Sequence, residues 1–211
     1  MAGSAAVLED GSRLSRLDRG LARVERALAL LAGLAVLGLI LLAVVSVGGR
    51  NLLGASVPGY VDWIEQVMPP IAFLGLAYAA RTGAHIRMDI AVGQLRGRAL
   101  WAAETLTTLL TLLVVLLLAW GAWQHFGRSF DTGAPLWSRD STMDIGLPIW
   151  PAKLVVPFAL GVLALRLALQ LWGYARAFAQ GAAAPVAVPL VQSAAEIAAA
   201  EAEAIAEGPR R

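Results

Sequence analysis

The sequence has no cysteine, only two histidines and few charged residues, which make up 15% of its 211 positions. Without cysteine the chain can form neither disulfides nor thiolate metal sites. Its long apolar runs contain almost no side chain that ionises, whereas a pump that moves protons or sodium ions by itself normally needs a carboxylate or histidine within the membrane. The sequence therefore argues against a self-contained ion-coupled transporter.

Hydrophobic residues make up 58% of the chain and fall into four apolar runs. We expect membrane-spanning helices at about residues 27–47, 63–80, 101–124 and 149–172, because roughly 20 apolar residues cross the hydrocarbon core of a bilayer. Pro69 and Pro70 lie within the second run and remove two backbone donors, which predicts an interfacial helix just before the second span. The predicted fold is all-α, an integral membrane protein of four helices.

Arginine is concentrated on one side of this arrangement. Nine arginines occur in the N-terminal segment and in the link between the second and third spans, against four basic residues in the two opposite links. By the positive-inside rule, both termini are expected in the cytoplasm. The expected parts are a basic N-terminus at 1–26, a membrane domain at 27–178 and a cytoplasmic tail at 179–211 that carries an Ala- and Glu-rich helix. Because the positive charge lies at the membrane edges, nucleic acid is not an expected partner.

Two polar blocks flank the second and fourth spans. Trp63 and Glu65 begin the second span, and Arg81-Thr82-Gly83-Ala84-His85-Ile86-Arg87-Met88-Asp89 follows it. The other block consists of Ser141, then Gly146-Leu147-Pro148-Ile149-Trp150, and Lys153 at the start of the fourth span. Over about residues 25–178, these blocks and the order of the spans resemble the small, DctQ-like membrane subunit of tripartite ATP-independent periplasmic (TRAP) transporters.

The resemblance implies a non-catalytic role in the bacterial inner membrane, with no cofactor or metal. In such systems a soluble periplasmic protein captures an organic anion, often a carboxylate, and a large membrane subunit carries it inward with sodium. The small subunit braces the large one and helps to dock the binding protein. The expected partners are therefore the large subunit, the periplasmic binding protein and, at the basic inner loop, anionic lipids.

Twelve residues are expected at interfaces with these partners or with lipid: Arg50, Trp63, Glu65, Arg81, His85, Arg87, Asp89, Arg139, Asp140, Ser141, Lys153 and Arg166. Arg166 lies about 25 Å along the fourth helix and is expected to extend to the inner headgroups, with a buried ion pair with the partner subunit, or a bound anionic lipid, as the alternative. Glu65 is expected to pair either with Arg50 or with a cation on a partner. On the outer side, Arg139, Asp140 and Lys153 belong to the polar face expected to meet a binding protein.

Two other functions, an exporter and a haem anchor, make predictions that the sequence does not meet. A small four-span exporter that acts as a homo-oligomer would need a carboxylate within the first span, and residues 27–47 contain none. A membrane anchor for haem would need two histidines at the same depth. His85 and His125 are expected at opposite membrane surfaces, about 30 Å apart, which is too far for a shared haem or metal ion.

Overall fold

The computed structural model describes residues 13–82 and 98–180, which form five α-helices and a short 3₁₀ helix. The α-helices are α1 (Arg13–Leu53), α2 (Tyr60–Phe73), α3 (Leu76–Arg81), α4 (Arg98–Ser129) and α5 (Trp150–Gln180), and the 3₁₀ helix is Pro135–Trp137. Two isolated β-bridges are the only extended pairing in these residues. The all-α prediction is confirmed for this part of the chain.

Three helices, α1, α4 and α5, are each long and apolar enough to cross a membrane. All three extend beyond the spans predicted from the apolar runs. Helix α1 has 41 residues and is therefore about 60 Å long at 1.5 Å per residue, twice the thickness of the hydrocarbon core. A large part of this helix must lie among the lipid headgroups or beyond them.

The predicted second span falls on two shorter helices, α2 and α3, separated at Leu74 and Gly75. Pro69 and Pro70 lie inside α2, which continues past them to Phe73, so no separate interfacial helix ends at the prolines. The helical bonding resumes beyond the prolines, because the N–H of Leu74 donates to the carbonyl of Pro70 at 3.1 Å. Neither helix alone is long enough to cross a membrane, but residues 60–81 together extend over about 33 Å.

The core lies where α3, α4 and α5 meet. Ala77 and Ala80 on α3 pack against Val115 on α4 and against Leu163 on α5, together with other apolar residues of the same cluster. Small residues allow helices in a membrane to approach closely, and this close van der Waals packing stabilises helix association in lipid. Helices α4 and α5 share the most extensive contact in the molecule.

Helix α1 lies at the edge of this bundle and packs along one face only. Leu28 and Ala32 contact Leu74 and Ala159, while Leu14 packs near Leu169 at the other end of α5. The opposite face of α1 carries exposed leucine and valine side chains over most of its length. The N-terminal half of α1 is thus fixed to α5, whereas the C-terminal half leaves a broad apolar surface open.

Candidate functional site

A buried ionic cluster joins α1, α3 and α5 at the end of the bundle that holds the N-terminus of α1. We call this the inner end and the opposite one the outer end, after the orientation predicted from the sequence. Arg166 on α5 is completely buried. Its guanidinium forms a bidentate ion pair with the carboxylate of Glu25 on α1, in which Nε donates to Oε1 at 2.6 Å and Nη2 donates to Oε2 at 2.7 Å. The remaining nitrogen, Nη1, donates to Asp18 at 2.5 Å. Asp18 accepts a further bond, at 2.9 Å, from Arg81 on α3.

Two carboxylates and two guanidinium groups make this cluster electrically neutral. Moving a single charge out of water costs several kcal/mol, and a buried charge is tolerated only when a partner and hydrogen bonds compensate it. Every nitrogen of Arg166 has a carboxylate oxygen as its acceptor. We call Asp18, Glu25, Arg81 and Arg166 the inner ion cluster; it can hold three helices in register but leaves no charge free to bind a substrate.

The expectation that Arg166 extends to the inner headgroups is wrong. Its side chain is turned inward, where two carboxylates of α1 accept hydrogen bonds from all three of its nitrogens. Arg166 is therefore not exposed to a partner or to lipid in this chain. Arg81, expected at the same interface, also bonds within the chain and retains 13% of its side-chain exposure.

The sequence contains a signal for this cluster that the apolar runs alone do not reveal. Asp18 and Glu25 are seven residues apart, so they share a helix face with the buried residues Leu14, Leu21 and Leu28. Two acids on an apolar face require buried cations. Arg166, the one charge deep in the fourth run, was the natural candidate.

At the outer end, Asp62 connects α2 to the loop before α5. Its carboxylate accepts the backbone N–H groups of Asp144 at 3.1 Å and Ile145 at 2.7 Å. A bond from the Thr142 hydroxyl and these two amides hold the pKa of Asp62 below its usual value. The carboxylate of Asp144 in turn accepts the N–H of Gly59 at 2.8 Å. The loop is therefore fixed to the start of α2 by reciprocal bonds.

A second outer cluster connects the end of α4 to the start of α5. Ser129 donates to Asp140 at 2.6 Å, and Lys153 bonds both Ser129 and the carboxylate of Asp140. The Ser129 hydroxyl and the Lys153 ammonium lower the pKa of Asp140. Asp131 also has a lowered pKa, from the Gly133 amide and from Arg139, which lies 3.0 Å away. The charges predicted for a docking face thus pair with one another.

The 3₁₀ helix holds two residues in an unusual backbone conformation. Leu136 and Trp137 have φ angles of 53° and 56°, in the left-handed region that disfavours side chains. The carbonyl of Leu136 accepts a bond from the Trp150 indole at 2.9 Å, and that of Trp137 accepts the Asp131 amide at 3.1 Å. These bonds hold the strained turn, so that both side chains point outward, 69% and 57% exposed.

Arg50 and Glu65, expected as a possible pair, form no bond with each other, and both are exposed. Arg50 borders a cleft of about 240 Å³ between α1 and α2, together with Ser46, Tyr60 and Asp144. Trp63 is exposed on α2. Ser141 pairs with Pro148 in a single β-bridge that closes the outer loop. His85, Arg87, Asp89 and the predicted tail helix lie outside the described residues.

Residues 13–82 and 98–180 contain no group of three acidic, histidine or cysteine side chains able to hold a metal ion. Their polar clusters connect helices to one another and to the loop before α5. No curated protein matches the chain. The family model for the DctQ component of tripartite ATP-independent periplasmic transporters matches residues 39–177, well over half of the chain, and the protein therefore belongs to that family of membrane transporter components.

Proposed function

We propose that the protein is the non-catalytic small subunit of a TRAP transporter, which braces a large membrane subunit and helps to dock a periplasmic binding protein. The transporter takes up an organic anion such as a carboxylate, driven by sodium, across the bacterial inner membrane. The family match carries this proposal. The inner ion cluster supports it, because a closed and neutral set of charges serves helix packing and offers no vacant site to a transported ion.

A leucine stripe on α4 is the surface that we assign to the large subunit. Leu106, Leu110, Leu113 and Leu117 are all exposed and recur at intervals of four and three residues, which places them on one face. Only 11% of the most apolar part of α4 is buried in the chain. Such spacing suits the packing of a second apolar helix, and Gly121 near the end of this face leaves open space for close approach.

The outer loop supplies the surface proposed for the binding protein. Its base is fixed by the bonds of Asp62 and Asp140, so the exposed side chains of Leu136, Trp137 and Met143 are presented by a rigid support. In this proposal the loop lies in the periplasm and both termini lie in the cytoplasm. The second span then consists of α2 and α3 in series, which completes the four-span topology.

The test is co-purification. The full chain is tagged at its C-terminus, expressed with the large subunit of the same transport system and purified in mild detergent. We expect the large subunit to co-purify. Recovery of homo-oligomers alone, in several detergents, would contradict the proposal and favour the exporter that acts as a homo-oligomer.

A matched pair of variants then tests the assigned face. Gly121→Phe adds bulk on the open face of α4, and Gly38→Phe adds the same bulk on the open face of α1; neither glycine has any atom within 4 Å of an added Cβ. We expect Gly121→Phe to reduce recovery of the large subunit and Gly38→Phe to leave it unchanged. If Gly38→Phe reduced recovery of the large subunit and Gly121→Phe did not, the bracing role would stand, but the contact with the large subunit would lie on α1.

A further inference from the structure

The inner half of α1 separates its charges by sign. Asp18 and Glu25 are buried on the face that meets α5, whereas Arg16, Arg23 and Arg26 are exposed. Arg16 and Arg23 are seven residues apart, two helical turns, so they project from the same side, roughly opposite the two acids. We call Arg13, Arg16, Arg23 and Arg26 the arginine face.

The inner ion cluster leaves this face strongly cationic. On an isolated helix, Asp18 and Glu25 would be the nearest counter-ions for the arginines beside them in sequence. In the folded chain both acids form ion pairs with Arg166 or Arg81 instead. The four arginines of the face make no ion pair with another described residue, and their charge is directed outward.

Exposed apolar side chains accompany the arginines. Leu17 is 52% exposed and Val24 is 45% exposed, next to the arginine face on the same helix. The arginine face also directly precedes the predicted first span, on a helix about twice as long as the hydrocarbon core is thick. Guanidinium groups with interspersed apolar residues match the boundary between headgroups and acyl chains, whereas an acidic soluble protein would offer the apolar residues no favourable environment.

We propose that the arginine face binds the anionic headgroups of phospholipids in the inner leaflet and thereby fixes the depth of α1 in the membrane. The proposal rests on the proposed orientation, with the N-terminus in the cytoplasm. Arg23 and Arg26 lie closest to the hydrocarbon and contribute most.

The experiment measures lipid selectivity of the full chain in bilayers of phosphatidylcholine. Spin-labelled phosphatidylglycerol and spin-labelled phosphatidylcholine are compared by electron paramagnetic resonance for their relative association with the protein. Each juxtamembrane arginine is worth about fivefold in affinity for an anionic surface. We therefore expect Arg23→Gln/Arg26→Gln to lower phosphatidylglycerol selectivity by up to about thirtyfold, and high salt to weaken the selectivity of the wild type.

Two controls make the result specific. Arg23→Lys/Arg26→Lys keeps the charge and should keep the selectivity. Arg128→Gln removes one exposed arginine at the outer end of α4 and should lower selectivity far less than the double glutamine variant does. Equal selectivity in the wild type and the double glutamine variant, or an equal loss in Arg128→Gln, overturns the proposal.

Co-purification of the same variants separates this proposal from the proposed function. If Arg23→Gln/Arg26→Gln loses the large subunit while lipid selectivity is unchanged, the face binds protein and the lipid proposal is wrong. If the large subunit never co-purifies but selectivity depends on the arginines, the lipid proposal stands and the subunit role fails.

Discussion

Removing one charge from the inner ion cluster should destabilise the protein far more than removing an exposed charge. In Glu25→Gln, Arg166 keeps only Asp18 as an anionic partner, and Asp18 is shared with Arg81. The cluster then carries one uncompensated positive charge in a completely buried position. Breaking a buried pair in a soluble protein costs about 3–5 kcal/mol. In lipid the unfolded helices find other polar partners, so we expect about 2–4 kcal/mol.

The decisive comparison is a double-mutant cycle. Arg166→Gln alone leaves Glu25 without its cation and should cost at least as much as Glu25→Gln. The double variant removes one charge of each sign and leaves Asp18 paired with Arg81, a neutral arrangement. Its loss of stability should therefore be smaller than the sum of the single losses by about 2 kcal/mol.

Unfolding of the purified protein by SDS in mixed micelles, followed by circular dichroism, measures these differences. Glu65→Gln is the matched control, because Glu65 is exposed and forms no bond with a described residue, and its effect should be within about 0.5 kcal/mol. Equal effects of Glu25→Gln and Glu65→Gln, or strictly additive effects in the cycle, would refute the reasoning. The absence of cysteine adds a second readout: a single Leu14→Cys, at a buried site, should react with maleimide faster when Glu25→Gln loosens α1.

Three further predictions concern the outer loop. Asp62→Asn should lower the midpoint of unfolding in SDS, because an amide oxygen accepts the two backbone N–H groups more weakly than the carboxylate does. In the wild type, Asp62, Asp131 and Asp140 have lowered pKa values, so their charged forms stabilise the fold at pH values above the usual pKa of 3.8. In an acid titration this stability should be lost as the pH falls below about 4. Gly59→Ala should destabilise more than Gly54→Ala, because both glycines have a positive φ but only at Gly59 would a Cβ overlap the Ile145 side chain; equal midpoints in SDS would contradict this. Leu136→Gly should raise stability by up to about 1 kcal/mol, since it relieves a left-handed conformation at an exposed position, and a lower midpoint would show that the side chain packs favourably.

Apolar run length predicted the helical class and located three long helices, because the need to satisfy every backbone group in lipid leaves few alternatives. It could not predict how far the helices continue beyond the membrane, since α1 extends into a segment rich in arginine that has no hydropathy signal. The proline pair predicted a break, but the chain breaks at Leu74 and Gly75, one turn later. Hydrogen bonds that resume beyond the prolines determine where α2 ends. The length of an apolar run carries no information about such bonds.

The ionic contacts were harder to predict, because they depend on which helices are neighbours. Glu25 and Arg166 are 141 residues apart in sequence. An arginine near a helix end can either extend its side chain to the headgroups or form an ion pair inside the bundle. What distinguishes them is the register of α1 against α5, which places two carboxylates opposite one guanidinium. The matched family region begins at residue 39, so it contains both arginines of the cluster but neither acid. The inner half of α1 is therefore best tested as a unit: if it anchors the bundle through its acids and meets the membrane through its arginines, Glu25→Gln should lower stability and keep the lipid selectivity, because it removes no positive charge, whereas Arg23→Gln/Arg26→Gln should lower selectivity alone.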